Sequence, residues 1–261
     1  MRLLIELSSP NNSPITLPIH YNHLVQSAIY AVLDSCLAEF LHYTGFEGGG
    51  RRFKLFTFSR LTGTYCLNAE KGVITYTSPV KLVISSPMEK FCESLVNGLL
   101  AKDSLRIGPA TLCLQGVKVD RPQVTDEESA HTQKQIHVKT LSPVVVYSTL
   151  FRPEGKKYTC YFQPGESDFS RLASENLRKK YQAIYEAVPP EGEIQVAPLS
   201  QPKLRIIKYK NFVIKGYSGT LSMSGPASLL QVAVDAGLGA KNSMGFGLLE
   251  IICPKRAEGV I

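Results

Sequence analysis

The order in which the apolar pattern changes period along this chain is what most limits its fold. "RLLIEL" reads as a first strand. In "YNHLVQSAIYAVLDSCLAEFLH" two sets, Leu24, Ala28, Val32 and Val25, Ile29, Leu33, recur at helical spacing, with Asn22 placed to cap the start. "KLFTFSRL", behind the run Gly48-Gly49-Gly50, and then "TYCL", "VITYT" and "VKLVISS" are rich in β-formers. "PMEKFCESLVNGLLAK" predicts a helix opening at Pro87, and "LRIG" and "TLCLQGVKV" close the first half as strands. After the polar stretch "DRPQVTDEESAHTQKQ" the order returns. "LSPVVVYST" and "KKYTCYF" are strand-like, and "DFSRLASENLRKKYQAIYEAV" is helical, with Asp168 or Ser170 as cap. "PPEGEIQVAPLSQP" reads as a loop. "KLRIIKYKNFVIKGYSGTLSMSG" reads as two strands about a tight turn near Lys210-Asn211, "PASLLQVAVDAG" as a helix and "FGLLEII" as a last strand.

Strand, helix, strands, helix, strand, given twice, predicts an α+β protein of two tandem ferredoxin-like (RRM-like) domains. The boundaries expected are residues 1–120 and 136–261, with 121–135 as linker; one larger α+β domain is the alternative. A chain of 261 residues, 44% hydrophobic, has apolar material for two cores. No apolar run reaches the roughly 20 residues of a membrane helix, and "MRLLIELSSP" turns polar too soon for a signal peptide. A cytoplasmic protein without membrane contact is expected. Its six cysteines are scattered, with no close pair for a structural zinc, and are expected to be reduced. The formal charge of +7 turns attention to polyanionic partners.

"DAGLGAKNSMGFG", residues 235–247, sets four glycines around Lys241, Asn242 and Ser243. A phosphate loop needs GxxxxGK[ST] between strand and helix, and a dinucleotide fingerprint needs GxGxxG opening a helix. Here the order is helix, loop, strand, and neither spacing is met. Gly237 reads as a helix stop. The other glycines suit a backbone that approaches something closely and turns amides towards an anion, for which a nucleic-acid backbone is the leading candidate.

"IKGYSGTLSMSG" running into this loop, together with "LSPVVVYS", "FSRLASENLRKKYQAIY", "KLFTFS" and the opening "MRLLIEL…LPIHYNHLVQSAIYAVL", resembles the CRISPR-associated repeat-processing endoribonucleases of the repeat-associated mysterious protein (RAMP) superfamily. The resemblance covers most of the chain and is weakest over residues 63–135. It implies tandem ferredoxin-like domains and metal-independent cutting of CRISPR repeat RNA (pre-crRNA) into guide RNAs, with no cofactor and no metal ion. The family's reaction uses the ribose 2′-hydroxyl as nucleophile and leaves a 2′,3′-cyclic phosphate and a 5′-hydroxyl. An inactive RAMP-type subunit that holds RNA in a CRISPR effector complex is the second reading. The partners implied are the repeat RNA and, further, effector-complex subunits or a second copy in a homodimer.

That reaction needs a base for the 2′-hydroxyl, an acid for the 5′ oxygen and a cation for the transition state. The family pattern places a tyrosine in the first helix, a histidine after it and a lysine before an LFT-type strand. The matching positions are Tyr30 in "SAIYAVL", His42 in "FLHYTG" and Lys54 in "KLFTFS". Tyr30 lies off the Leu24/Ala28/Val32 stripe and reaches outward, and histidine is the side chain that titrates nearest neutral pH. The division of acid and base between them stays open, and Arg51 or Arg52 is an alternative to Lys54. His20 and His23, near the helix start, are alternatives as caps, RNA contacts or catalytic groups; His131 and His137 are read as structural or exposed. For RNA binding the candidates are Arg51, Arg52, Lys208, Lys210, Gly239, Lys241, Asn242, Ser243 and Gly245. Alternation sets Lys208 and Lys210 on one strand face, and "RLASENLRKK" reads as a solvated helix face.

Overall fold

The computed structural model describes residues 1–124, 133–151 and 155–252. His131 and Cys253 lie outside the described residues. The first half builds a five-stranded antiparallel sheet in the order Thr57–Phe58, Val80–Ser85, Arg2–Ser8, Ala110–Asp120, Ser104–Ile107. Arg2–Ser8 is flanked on both sides and alternates inward Leu3, Ile5 and Leu7, all at most 1% exposed. Helices α1 (Asn22–Val32) and α3 (Glu89–Lys102) pack on each other and close this core with Val25, Ile29, Phe91, Leu95 and Leu99. Between them lies α2 (Ser35–Glu39), capped by Asp34, whose Oδ1 accepts from the amides of Cys36 and Leu37.

The second half repeats the arrangement. Its four-stranded sheet runs Gln195–Pro198, Thr220–Pro226, Gln133–Thr140, Leu249–Ile251, again antiparallel throughout. Helices α4 (Ser167–Tyr185) and α5 (Ala227–Ala236) cover it with Phe169, Ala173, Leu177, Leu229, Leu230 and Ala233. With the sheet strands numbered in chain order within each half, the first sheet has the order 2-3-1-5-4 and the second 2-3-1-4, the first carrying one extra edge strand, Ser104–Ile107; each half places a helix after its first sheet strand and another after its third. The chain is two tandem ferredoxin-like domains.

The strands that fill these slots are in part not those expected. The second sheet's first strand is Gln133–Thr140, which begins inside the segment read as linker, and its second is Gln195–Pro198, inside the segment read as loop. Tyr147–Phe151 pairs with Lys157–Tyr161, and Lys203–Tyr209 with Phe212–Ser218, as hairpins separate from that sheet. The glycine run 48–50 turns a short hairpin, Phe46–Gly48 with Arg51–Phe53, and only Thr57–Phe58 of "KLFTFSRL" is strand. Among the described residues no helix is long and apolar enough to cross a membrane.

The two domains share a continuous interface. Leu55, at φ 52, leaves the first domain and packs into the core of the second, whereas its neighbour Phe56 stays in the core of the first. Burying a leucine contributes about 1.5–3 kcal/mol, of the same size as the cost of a left-handed non-glycine residue, and so offsets it. Gly48 sits against α4, where a Cβ would lie 2.1 Å from the Lys179 carbonyl oxygen, so no larger residue fits. Arg2 donates to the Leu249 carbonyl at 2.6 Å, and the N-terminal ammonium pairs with Asp235 at 3.3 Å. The residues just after the first sheet are also tied down, the Val124 amide donating to Gln231 on α5 and Gln231 to the Pro122 carbonyl.

Candidate active site

Three segments of the first domain bring Tyr30, His42 and Lys54 together. Tyr30 lies near the C-terminal end of α1, half-buried, its ring edge-on to Phe56 (centroids 5.9 Å) and to His42 (6.3 Å, planes at 85°). His42 is presented by a single π-helical turn, Phe40–Thr44, closed by the Gly45 amide on the Phe40 carbonyl at 2.7 Å. Such turns widen the backbone and push one residue outward, and His42 is exposed here. Lys54 follows the Phe46–Phe53 hairpin and precedes Leu55, whose insertion into the second core fixes the chain direction. The Lys54 Nζ donates to the His42 carbonyl at 2.7 Å. Burial pushes the Tyr30 phenol up to about 12. Burial, and Arg52 beside it, lower the Lys54 ammonium below its usual value.

The glycine loop stands over the same helix. It connects α5 to the last strand and lies in the domain interface, its carbonyls held by side chains from both domains. From α1, Asn22 donates to Met244 (3.0 Å) and Gly245 (3.2 Å), and Gln26 donates to Ser243 (2.7 Å). Asn22 therefore does not cap α1; its amide crosses to the second domain. Thr57 donates to Phe246 at 2.9 Å, and Asn242 within the loop donates to Leu238 and Phe246. From α4, the buried Lys180 donates to Gly237 at 2.6 Å and Gly239 at 2.9 Å, and burial pushes its ammonium down to about 7. Most of the loop's amides are also used internally: Leu238 on Gly247, Ala240 on Val145, Gly247 on Pro143, Gly245 on Asn242. Gly245, at φ 84, leaves no room for a Cβ, which would lie 2.4 Å from the Phe58 ring.

The residues expected at an RNA interface thus divide. Gly239, Asn242 and Gly245 are buried and hold the loop and the domain contact, and Asn242 also lines the cleft between the domains. Lys241 and Ser243 are half-exposed and, with Arg51, Arg52 and Lys54, line a cleft of about 270 Å³ between the domains. Lys208 and Lys210 are both exposed but do not share a strand face: Lys208 is on the strand, and Lys210, at φ 51, is in the two-residue turn. Between them Tyr209 is buried, hydrogen-bonded to Gln26 and edge-on to His23, so the hairpin crosses onto α1. Its phenol is pushed up to about 12 by burial and by Tyr30. Tyr209, Gln26 and Asn176 are not singled out by the sequence, and Lys180 reads there as part of the solvated face of "RLASENLRKK". His20 and His23 sit at the other end of α1 from Tyr30, about 10 Å along it at 1.5 Å per residue. Among the described residues no three His, Cys, Asp or Glu side chains gather as a metal ion requires.

Comparison with known proteins matches both halves to one family. Residues 16–118 match the model for the N-terminal part of CRISPR-associated protein Cas6, and residues 125–251 the model for its C-terminal part. The CRISPR-associated endoribonuclease Cas6 1 of Methanocaldococcus jannaschii is 30% identical over 255 residues, covering 95% of this chain and 92% of its own. This chain belongs to the Cas6 family. The CRISPR-associated endoribonuclease Cas6 of Pyrococcus furiosus is also 30% identical, over 96% of this chain and 90% of its own. A solved structure described as CRISPR associated protein Cas6 superposes with a TM-score of 0.76 at 27% identity, over 97% of this chain and 99% of that one. In this Cas6 chain the interdomain cleft carries Arg51, Arg52, Lys54, Lys180 and Lys241 and no carboxylate. Its floor is the loop that the two domains hold between them.

Proposed function

We propose that this protein is a metal-independent endoribonuclease that cuts CRISPR repeat RNA into guide RNAs. The observation that carries this reading is the convergence of Tyr30, His42 and Lys54 at the rim of the basic cleft, on a chain whose relatives are CRISPR-associated endoribonucleases. The RNA backbone lies along the cleft, its phosphates facing Arg51, Arg52 and Lys241. The 2′-hydroxyl oxygen attacks the adjacent phosphorus and the bond from phosphorus to the 5′ oxygen breaks. The products are a 2′,3′-cyclic phosphate and a 5′-hydroxyl.

A phenol held near 12 stays protonated at neutral pH, so Tyr30 is the acid that gives its proton to the departing 5′ oxygen and does not abstract one. His42, exposed on its turn, takes the 2′-hydroxyl proton. The Lys54 ammonium spends one proton on the His42 carbonyl and has two left for the non-bridging phosphate oxygens, where charge develops. Incubation with a cognate repeat RNA in EDTA tests the reading. One cut, with cyclic phosphate and 5′-hydroxyl ends, is the expected result. Salt-sensitive binding without cutting would instead favour an RNA-holding subunit.

A further inference from the structure

Asn176 has no partner where one is needed. It lies on α4, one turn before Lys180, is 8% exposed, and its Oδ1 is buried without a hydrogen bond. An orphaned buried acceptor costs about 1–3 kcal/mol, and in a folded protein it calls for a reason. The nearby ammonium of Lys180 does not supply the missing donor: two of its protons go to the carbonyls of Gly237 and Gly239, and it makes no hydrogen bond to Asn176 Oδ1.

The residue stands where two cavities meet. One is the basic cleft beside Lys54; the other, of about 320 Å³, lies under the Tyr147–Tyr161 hairpin, and both are lined by Arg51 and Asn176. The second cavity has an apolar wall including Tyr147, whose ring carries the Lys241 ammonium 5.1 Å from its centroid. Its single carboxylate, Glu175, already accepts from Arg171 at 2.8 Å. Apolar walls, flanking cations and one free acceptor suit a nucleotide more than an isolated phosphate, which offers no donor when ionised.

We propose that Asn176 is a specificity-determining residue, its carbonyl oxygen accepting a hydrogen bond from a donor on one nucleotide of the bound RNA. The inference rests on the RNA-cutting reading above and adds a position at which the strand is read away from the bond that is cut. The donor is an exocyclic base amine or a ribose 2′-hydroxyl.

The test is a binding scan with a repeat RNA carrying a 2′-deoxy group at the cut nucleotide. Wild type and Asn176→Leu are compared against single 2′-deoxy replacements and against bases lacking the amine, such as inosine for guanosine. Asn176→Leu is expected to weaken binding roughly 3- to 10-fold, the worth of one hydrogen bond. One RNA replacement should cost wild type a similar factor and cost Asn176→Leu nothing further. Loss in the deoxy arm assigns the ribose; loss in the base arm assigns the amine. Asn176→Asp, which keeps the acceptor, should keep the position dependence. The melting temperature of Asn176→Leu should stay level or rise, since an unpaired buried polar atom is removed; a fall would indicate a structural role. Equal affinity of wild type and Asn176→Leu, or the same loss in both at every RNA position, overturns the proposal while leaving cleavage by wild type in EDTA untouched. If wild type neither binds nor cuts the RNA, the functional reading fails and this inference falls with it.

Discussion

The same connection in the two domains is built on very different scales. In the first, α3 passes through Asp103, at φ 50 with its amide on the Leu99 carbonyl at 2.9 Å, into an edge strand, Ser104–Ile107, that turns directly into Ala110–Asp120, the strand beside Arg2–Ser8. In the second, α5 ends at Ala236 and the strand begins at Leu249, leaving the twelve residues 237–248 for the glycine loop. The first domain fills this connection with a paired edge strand, and the second with twelve residues that belong to no strand of its sheet. What they meet is the first domain: α1 holds them from one side through Asn22 and Gln26, and α4, its counterpart in the second domain, from the other through Lys180. The loop thus fixes how the cleft opens beside Tyr30, His42 and Lys54. The proposed cutting groups stand in the first domain, and the second supplies the frame and Lys241.

If that contrast holds, the largest effect belongs to the first domain. Tyr30→Phe removes only a hydroxyl from a packed ring, and single-turnover cleavage should fall by about 10²–10³-fold with the melting temperature unchanged. In the second domain the losses should appear as stability. Lys180→Met leaves two buried carbonyls unpaired, and thermal or urea unfolding should report a loss of about 2–4 kcal/mol. The same variant has a pH signature. In the folded protein Lys180 loses its proton near 7, and in the unfolded chain only near 10.4. Between those values the unfolded state binds more protons, so wild type gains stability relative to Lys180→Met as pH rises from about 7 to 10. A difference that stays flat over that range would mean that the ammonium remains charged. Gly245→Ala forces a Cβ against Phe58 in a left-handed conformation and should cost about 1–3 kcal/mol. The smallest effect is Lys241→Ala, a few-fold loss of RNA affinity with the salt dependence reduced by about one ion.

The doubled element order was legible because a sequence pattern needs only period and spacing. Which segments form the sheet was less so. Gln133–Thr140 pairs on both sides yet buries only Val138 fully, so "QKQIHVKT" carries too little apolar alternation to announce a strand. The Lys203–Ser218 hairpin, with Leu204, Ile206, Phe212 and Val213 exposed, reads correctly as two strands about a turn at Lys210-Asn211, but stands apart from the four-stranded sheet. Tyr30, His42 and Lys54 were found through a family pattern; their meeting depends on the π turn at His42 and the insertion of Leu55, which no local spacing encodes. Lys180 had a signal that went unused. It follows Ala173 and Leu177 at i, i+4 and i+7, on the face that packs inward, but in "RLASENLRKK" its charge reads as solvated. Asn176 is polar, on a helix rich in polar residues, and only burial distinguishes it.

The division of labour can be measured by determining RNA affinity and the saturating single-turnover cleavage rate together, for His42→Ala and Lys241→Ala beside wild type. His42→Ala should lower the rate by about 10²–10⁴-fold with affinity kept, and Lys241→Ala should lower affinity with the saturating rate kept. A His42→Ala protein that cuts at the wild-type rate, or a Lys241→Ala protein that binds as tightly as wild type and fails to cut, would contradict it.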